Sequence, residues 1–100
     1  MKNDSEQINV LFHNRAGEVM RVLYEAFRYS VATLDRQGDE NVFQQSKGRY
    51  TSQLKHQLSS IAMEMMVMLE TDSDRHRWSH TVSGFIDNYL WEFGQKIKSL

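Results

Sequence analysis

Residues 61–69 read Ile61-Ala62-Met63-Glu64-Met65-Met66-Val67-Met68-Leu69, apolar at every position but Glu64 and holding four of the six methionines of the chain. At ~100° per residue, Ile61, Met65, Met68 and Leu69 fall on one side of a helix, and Met63 and Val67 fall on roughly the opposite side. A helix that is apolar all round is covered all round. In a chain of 100 residues with two other helices available, two neighbours do not readily supply that much cover. A partner chain is therefore expected from this stretch alone.

Working back from it, Phe43, Tyr50, Leu54, Leu58, Ile61, Met65 and Leu69 lie on one face of a helix expected over residues 42–70. The first half of that helix is polar elsewhere, with Gln45, Ser46, Arg49, Ser52, Gln53 and His56 left to water. The helix thus passes from amphipathic to buried along its own length. Upstream, Ile8, Phe12, Ala16, Val19, Met20, Leu23, Phe27, Val31 and Leu34 recur at helical spacing, which predicts a helix over about 5–37. Ser5 is its expected N-cap, with acidic Glu6 in the first turn. Gly17 costs about 1 kcal/mol against alanine in a helix interior. A continuous helix is expected, with a kink or break at residues 14–17 as the alternative.

The turn between these helices reads Asp35-Arg36-Gln37-Gly38-Asp39-Glu40-Asn41, with Gly38 as an expected C-cap and Asp39 or Asn41 starting the next helix. Thr71-Asp72-Ser73-Asp74 is the second break and caps a third helix expected over 74–98, striped by Trp78, Val82, Phe85, Ile86, Tyr89, Leu90, Phe93 and Ile97. Lys96 and Lys98 complement the dipole in its last turn. Short connections favour antiparallel neighbours. The expected fold is an all-α, antiparallel bundle of three long helices in a single domain spanning 1–100, packed as a homodimer. Leu58 should lie level with Met20 and Phe85, and Met65 with Phe12 and Trp78.

Composition narrows the function. Apolar residues make up 40% of the chain and the net charge is −1 with both signs interspersed, so nothing steers the whole molecule toward nucleic acid, anionic lipid or acidic substrates. The absence of cysteine removes disulfides, thiolate metal sites and cysteine nucleophiles. The polar N-terminus and the lack of an ~18-residue apolar run suggest a soluble, unprocessed, cytoplasmic protein with no membrane contact.

Candidate chemistry is sparse. His76 and His80 stand at i and i+4 on one helix face, a spacing that suits zinc, copper or nickel, with Asp72 and Asp87 as candidate further ligands. Both histidines lie opposite the Trp78 stripe, where the ordinary surface reading is preferred and no metal is expected. There is no Gly-x-Ser-x-Gly elbow, no glycine-rich phosphate loop and no close carboxylate pair facing a pocket. No enzyme activity, cofactor or small-molecule substrate is expected. Local positive charge at Lys47, Arg49, Lys55, Arg75 and Arg77 is diluted by Glu64, Glu70, Asp72 and Asp74, so nucleic-acid binding by a helical dimer is an alternative and not the leading reading.

One short segment carries a family resemblance. Leu54-Lys55-His56-Gln57-Leu58-Ser59-Ser60 resembles the phosphorylation segment of histidine phosphotransfer domains, which are small helical bundles with one exposed histidine. The resemblance implies phosphate acceptance at His56. It covers seven residues and departs from the pattern where Lys55 precedes the histidine and the usual glycine is missing.

What remains is a set of apolar residues off the core stripes: Leu11, Val22 and Tyr29 on the first helix, Met63 and Val67 on the second, Trp91 on the third. Slightly rotated wheels would make them padding for one core. Otherwise they form a protein interface, since aromatic residues and methionine are enriched there. The expected function is that of a small non-catalytic adaptor, regulator or inhibitor, with a second copy and an unidentified protein as partners.

Overall fold

The computed structural model describes residues 4–35 and 38–100. The chain forms a three-helix bundle in which α1 (Asp4–Val31), α2 (Glu40–Met66) and α3 (Asp72–Lys98) run up, down and up. The Cα cross-section, 18 × 17 Å against a length of 56 Å, is that of one bundle layer. Every helix therefore keeps an outward side that no other helix covers.

The apolar stripes converge on one core. Phe12, Ala16, Phe27, Leu54, Leu58 and Phe93 have no exposed surface, and Ile8, Leu23, Ile61, Ala62, Met65, Leu69, Trp78, Val82 and Ile97 are nearly as enclosed. No polar or charged residue is buried among the described residues. Aromatic rings fill both ends of the core. Phe12 meets Trp78 edge to face at 5.6 Å, and Phe27 meets Phe43 and Tyr50 at 5.5 and 5.7 Å, geometries worth about 0.5–1.5 kcal/mol each beyond area burial. The Trp78 indole N–H, the polar atom this core must satisfy, donates to the Ala62 carbonyl at 3.0 Å. That bond also sets the register of α3 against α2.

Further links tie α1 to each neighbour. Arg15 bridges to Glu64 on α2 at 2.7 Å. On the α3 side, His13 Nδ1 and the Tyr89 hydroxyl are 2.7 Å apart, and Tyr24 donates to the Lys96 carbonyl at 3.4 Å beneath the Lys96 ammonium. The expected level of Phe12 with Trp78 is thus observed. α1 passes through Gly17 without a break, because a lone glycine's cost is small beside that of uncovering its neighbours Ala16 and Met20.

The helix ends differ from the expected boundaries. α1 stops at Val31, ahead of Gly38, which therefore caps nothing. Its last turn tightens, with Ala32 N–H on the Tyr29 carbonyl and Leu34 N–H on the Val31 carbonyl, and the Ser30 hydroxyl donates to the Phe27 carbonyl at 2.8 Å. Such back-bonding competes with continuation of the helix. Arg36 and Gln37, at the end of the expected first helix, lie outside the described residues. Ser5 lies within α1 rather than at its cap, and its side chain is also outside them.

Asp39 is the N-cap residue of α2 and Asn41 lies inside the helix. The Asp39 carboxylate makes no capping bond and instead accepts the Asp35 N–H at 3.0 Å, within the turn that joins α1 to α2. α2 ends at Met66, short of the expected residue 70. Met68 N–H on the Met65 carbonyl and Leu69 N–H on the Met66 carbonyl wind the chain more tightly there. This returns Leu69 to the core and turns Met68, expected on the buried stripe, out to 56% exposure. α3 starts at Asp72, two residues early, because Thr71 is its cap: Thr71 Oγ1 accepts the Asp74 N–H at 3.1 Å.

Candidate protein-interaction surfaces

The off-stripe residues lie outside the core. Leu11, Val22, Tyr29, Met63, Val67 and Trp91 are 38, 48, 87, 69, 81 and 67% exposed. The bundle closes without them, so the alternative in which they pad one core does not apply.

They do not share one face. Leu11 and Val22 follow the side of α1 that borders α2. Leu11 lines a hollow with Ile8 and Met68, and Val22 lines a groove farther along with Val19, Ala26, Tyr50 and Gln57. Tyr29 stands at the rim of a depression at the opposite end of the bundle, next to Leu34, Phe43 and Leu100. Met63 lines a groove of about 330 Å³ on the other side of α2, between α2 and α3. Trp91 is on the outward side of α3, about 20 Å along the axis from Trp78, the residue level with Met63 (thirteen residues at ~1.5 Å each).

Three of the six draw together through a residue that periodicity alone hid. Leu11 and Met68 line one hollow at the α1–α2 boundary, Met63 and half-buried Met66 line the α2–α3 groove, and between Met66 and Met68 in sequence stands Val67, the C-cap residue of α2, 81% exposed. The result is an apolar band around the C-terminal end of α2. Met68 joins it only because the helix ends at Met66, a boundary that helical periodicity does not mark.

Charge is distributed unevenly beside these surfaces. At the α1–α2 boundary Arg15 pairs with Glu64, and on α1 Glu18 pairs with Arg21 at 2.6 Å and Glu25 with Arg28 at 3.4 Å. The hydrogen bond from Arg15, reinforced by its charge, holds the Glu64 carboxyl below the usual carboxylate range. Arg21 does the same to Glu18. In the α2–α3 groove, Lys55 on one wall and Asp87 on the other have no ion-pair partner among the described residues.

The remaining candidates are placed as follows. His56 is exposed in the interior of α2. The His76 and His80 rings lie edge to face at 4.7 Å, and among the described residues no group of three or more His, Asp and Glu side chains gathers to hold a metal. Asp72 is engaged by Arg75 at 3.1 Å and Asp74 by Arg77 at 3.6 Å, so both arginines of the candidate phosphate-binding pair already have carboxylate neighbours. Among the described residues no helix is long and apolar enough to cross a membrane. Compared with known proteins, the chain matches no family model, no curated protein and no solved structure.

Proposed function

We propose that this chain acts without catalysis, by binding proteins as a small adaptor, regulator or inhibitor, and that it associates with itself as a homodimer. The observation that carries the reading is the apolar band at the end of α2: the core is complete without Leu11, Met63, Val67 and Met68, yet all four stay exposed. Single exposed apolar residues are ordinary on a protein surface, whereas a contiguous patch marks a contact site. Methionine suits such a site because its unbranched thioether adapts to a partner's shape. Self-association through a two-fold axis is the commonest use of such surfaces. A cysteine-free composition supports a reducing, cytoplasmic setting for this activity.

The test is paired substitution outside the core. Met63→Glu and Trp91→Ala are each expected to keep the helicity and melting temperature of the unaltered chain by circular dichroism, while moving its mass in sedimentation from dimer toward monomer. An unchanged oligomeric state in both variants, with no change in capture of a second protein, overturns the reading.

A further inference from the structure

We propose that His76 and His80 form a two-histidine chelate on α3 for a divalent late transition ion: copper, nickel or zinc. This departs from the ordinary surface reading of the pair and stands apart from the homodimer reading above. The two residues are one helical turn apart, about 6 Å of rise, and both are exposed. Trp78 between them is 5% exposed and bonded to the Ala62 carbonyl, so the packing of α3 turns the pair to the outer side of the bundle. Their ring centres are 4.7 Å apart. Two imidazoles that share one ion, each nitrogen about 2.0–2.1 Å from it at an angle between square-planar and tetrahedral, have ring centres roughly 4.5–5.2 Å apart. The pair therefore already stands at the separation that chelation asks of it.

The other two histidines lack this arrangement. His13 holds Nδ1 2.7 Å from the Tyr89 hydroxyl with its ring 4.4 Å from that of Phe85, and His56 has no second histidine within a turn of it. His76 and His80 have no hydrogen-bond or ion-pair partner among the described residues, so ring nitrogens of both are open to an ion. The cationic neighbours do not repel one, because Arg75 and Arg77 face Asp72 and Asp74 at 3.1 and 3.6 Å. Among the described residues no third protein ligand joins the pair; Asp87 is seven residues beyond His80, about 10 Å along the axis. The ion thus keeps water in its remaining positions, which makes this an open site that clamps one turn of α3. Imidazole nitrogen suits all three metals, and a given site of this kind holds copper most strongly.

The test is calorimetric titration of the full chain with nickel chloride in a non-coordinating buffer, with circular dichroism of each variant to show that its helices are intact. One ion per chain is expected at micromolar affinity, and copper chloride is expected to bind more tightly. His76→Ala and His80→Ala each leave one ligand of two and are expected to weaken that site at least about tenfold. His56→Ala should leave it unchanged. The decisive variant keeps the number of histidines and changes their spacing. His80→Ser with Ser83→His sets the pair seven residues apart on exposed positions, and it is expected to bind no better than the single variants. The melting temperature should rise with nickel in the unaltered chain and stay level in the respaced one, because the clamp needs the one-turn spacing. The proposal is overturned if the unaltered chain shows no one-per-chain site up to millimolar nickel. It is equally overturned if a site of full affinity survives in either single variant or in the respaced chain.

Discussion

The two flanks of α2 are closed in different ways. Toward α1, Arg15 reaches over the boundary to Glu64, and the carboxylates of α1 nearby are matched by arginines of their own helix. Toward α3, the buried Trp78–Ala62 bond lies beneath a groove whose upper walls end in the unmatched Lys55 and Asp87, with Met63 exposed between solvent and the core. Internal packing is complete on both sides. The first flank leaves exposed apolar residues beside paired charges, and the second leaves exposed Met63 beside charges that have no ion-pair partner among the described residues.

Met63 and Met65 sharpen that distinction, because they are two residues apart on one helix and differ from 69% to 2% exposure. The Met65→Ala chain is expected to lose about 2–5 kcal/mol in chemical denaturation, the cost of a buried methionine truncated to a cavity. Met63→Ala is expected to change stability by less than about 0.5 kcal/mol and to show its effect in association alone. Equal losses at the two positions would erase the difference between the inner and outer sides of α2.

Next in size is the anchor beneath the α3 flank. Trp78→Phe keeps an aromatic ring against Phe12 but removes the indole N–H from the Ala62 carbonyl and shrinks a side chain that is 5% exposed. A loss of about 1–3 kcal/mol is expected in urea denaturation. A neutral result would mean that the register of α3 on α2 is set by the apolar stripes without that bond.

The α1 flank predicts smaller effects, readable through pH and salt. Glu64 is held below its ordinary range in the folded chain, first by its hydrogen bond from Arg15 and then by the charge of that residue. The carboxylate form therefore contributes its stability above the ordinary carboxylate range, and that contribution fades as pH falls through the lowered folded value. Glu64→Gln should accordingly flatten part of the acid-side loss in melting temperature and be nearly silent at high salt, as expected for an exposed pair.

Tyr89 works in the opposite direction. Burial, and secondarily the negative charge of Glu92, pushes its hydroxyl above the ordinary tyrosine value. Stability tied to the neutral ring is complete below that ordinary value and is lost as pH rises toward the folded one. Tyr89→Phe should remove this alkaline loss while giving up the contact with His13, a balance that melts at pH 8 and pH 11 would read.

Much of this arrangement was legible in the residues. The three stripes could be read because burial in a bundle repeats with the helical period, so Phe12, Leu58 and Ile86 carry their position in their spacing. Helix ends could not be read as well, because they depend on which carbonyl an N–H finds. Asp39 stands at the N-cap position of α2 as expected, but its carboxylate accepts the Asp35 N–H of the connecting turn, and of Met68 and Leu69, both expected on the buried side, the tighter turn keeps only Leu69 in the core. The off-stripe residues were visible as a set, but their division between the α1–α2 boundary, the α2–α3 groove and the ends of the bundle depends on how each helix is rotated toward its neighbours. Lys55 and Asp87 are the clearest case. They entered as a candidate phosphate contact and a candidate metal ligand, and only the antiparallel register brings them to opposite walls of one groove.

The most direct test of the account is the solution mass of the unaltered chain by sedimentation equilibrium, over concentrations from well below to well above micromolar. The account predicts a reversible dimer of the 11.8 kDa chain, its mass rising from one to two copies across that range. A mass that stays at one copy throughout would contradict it.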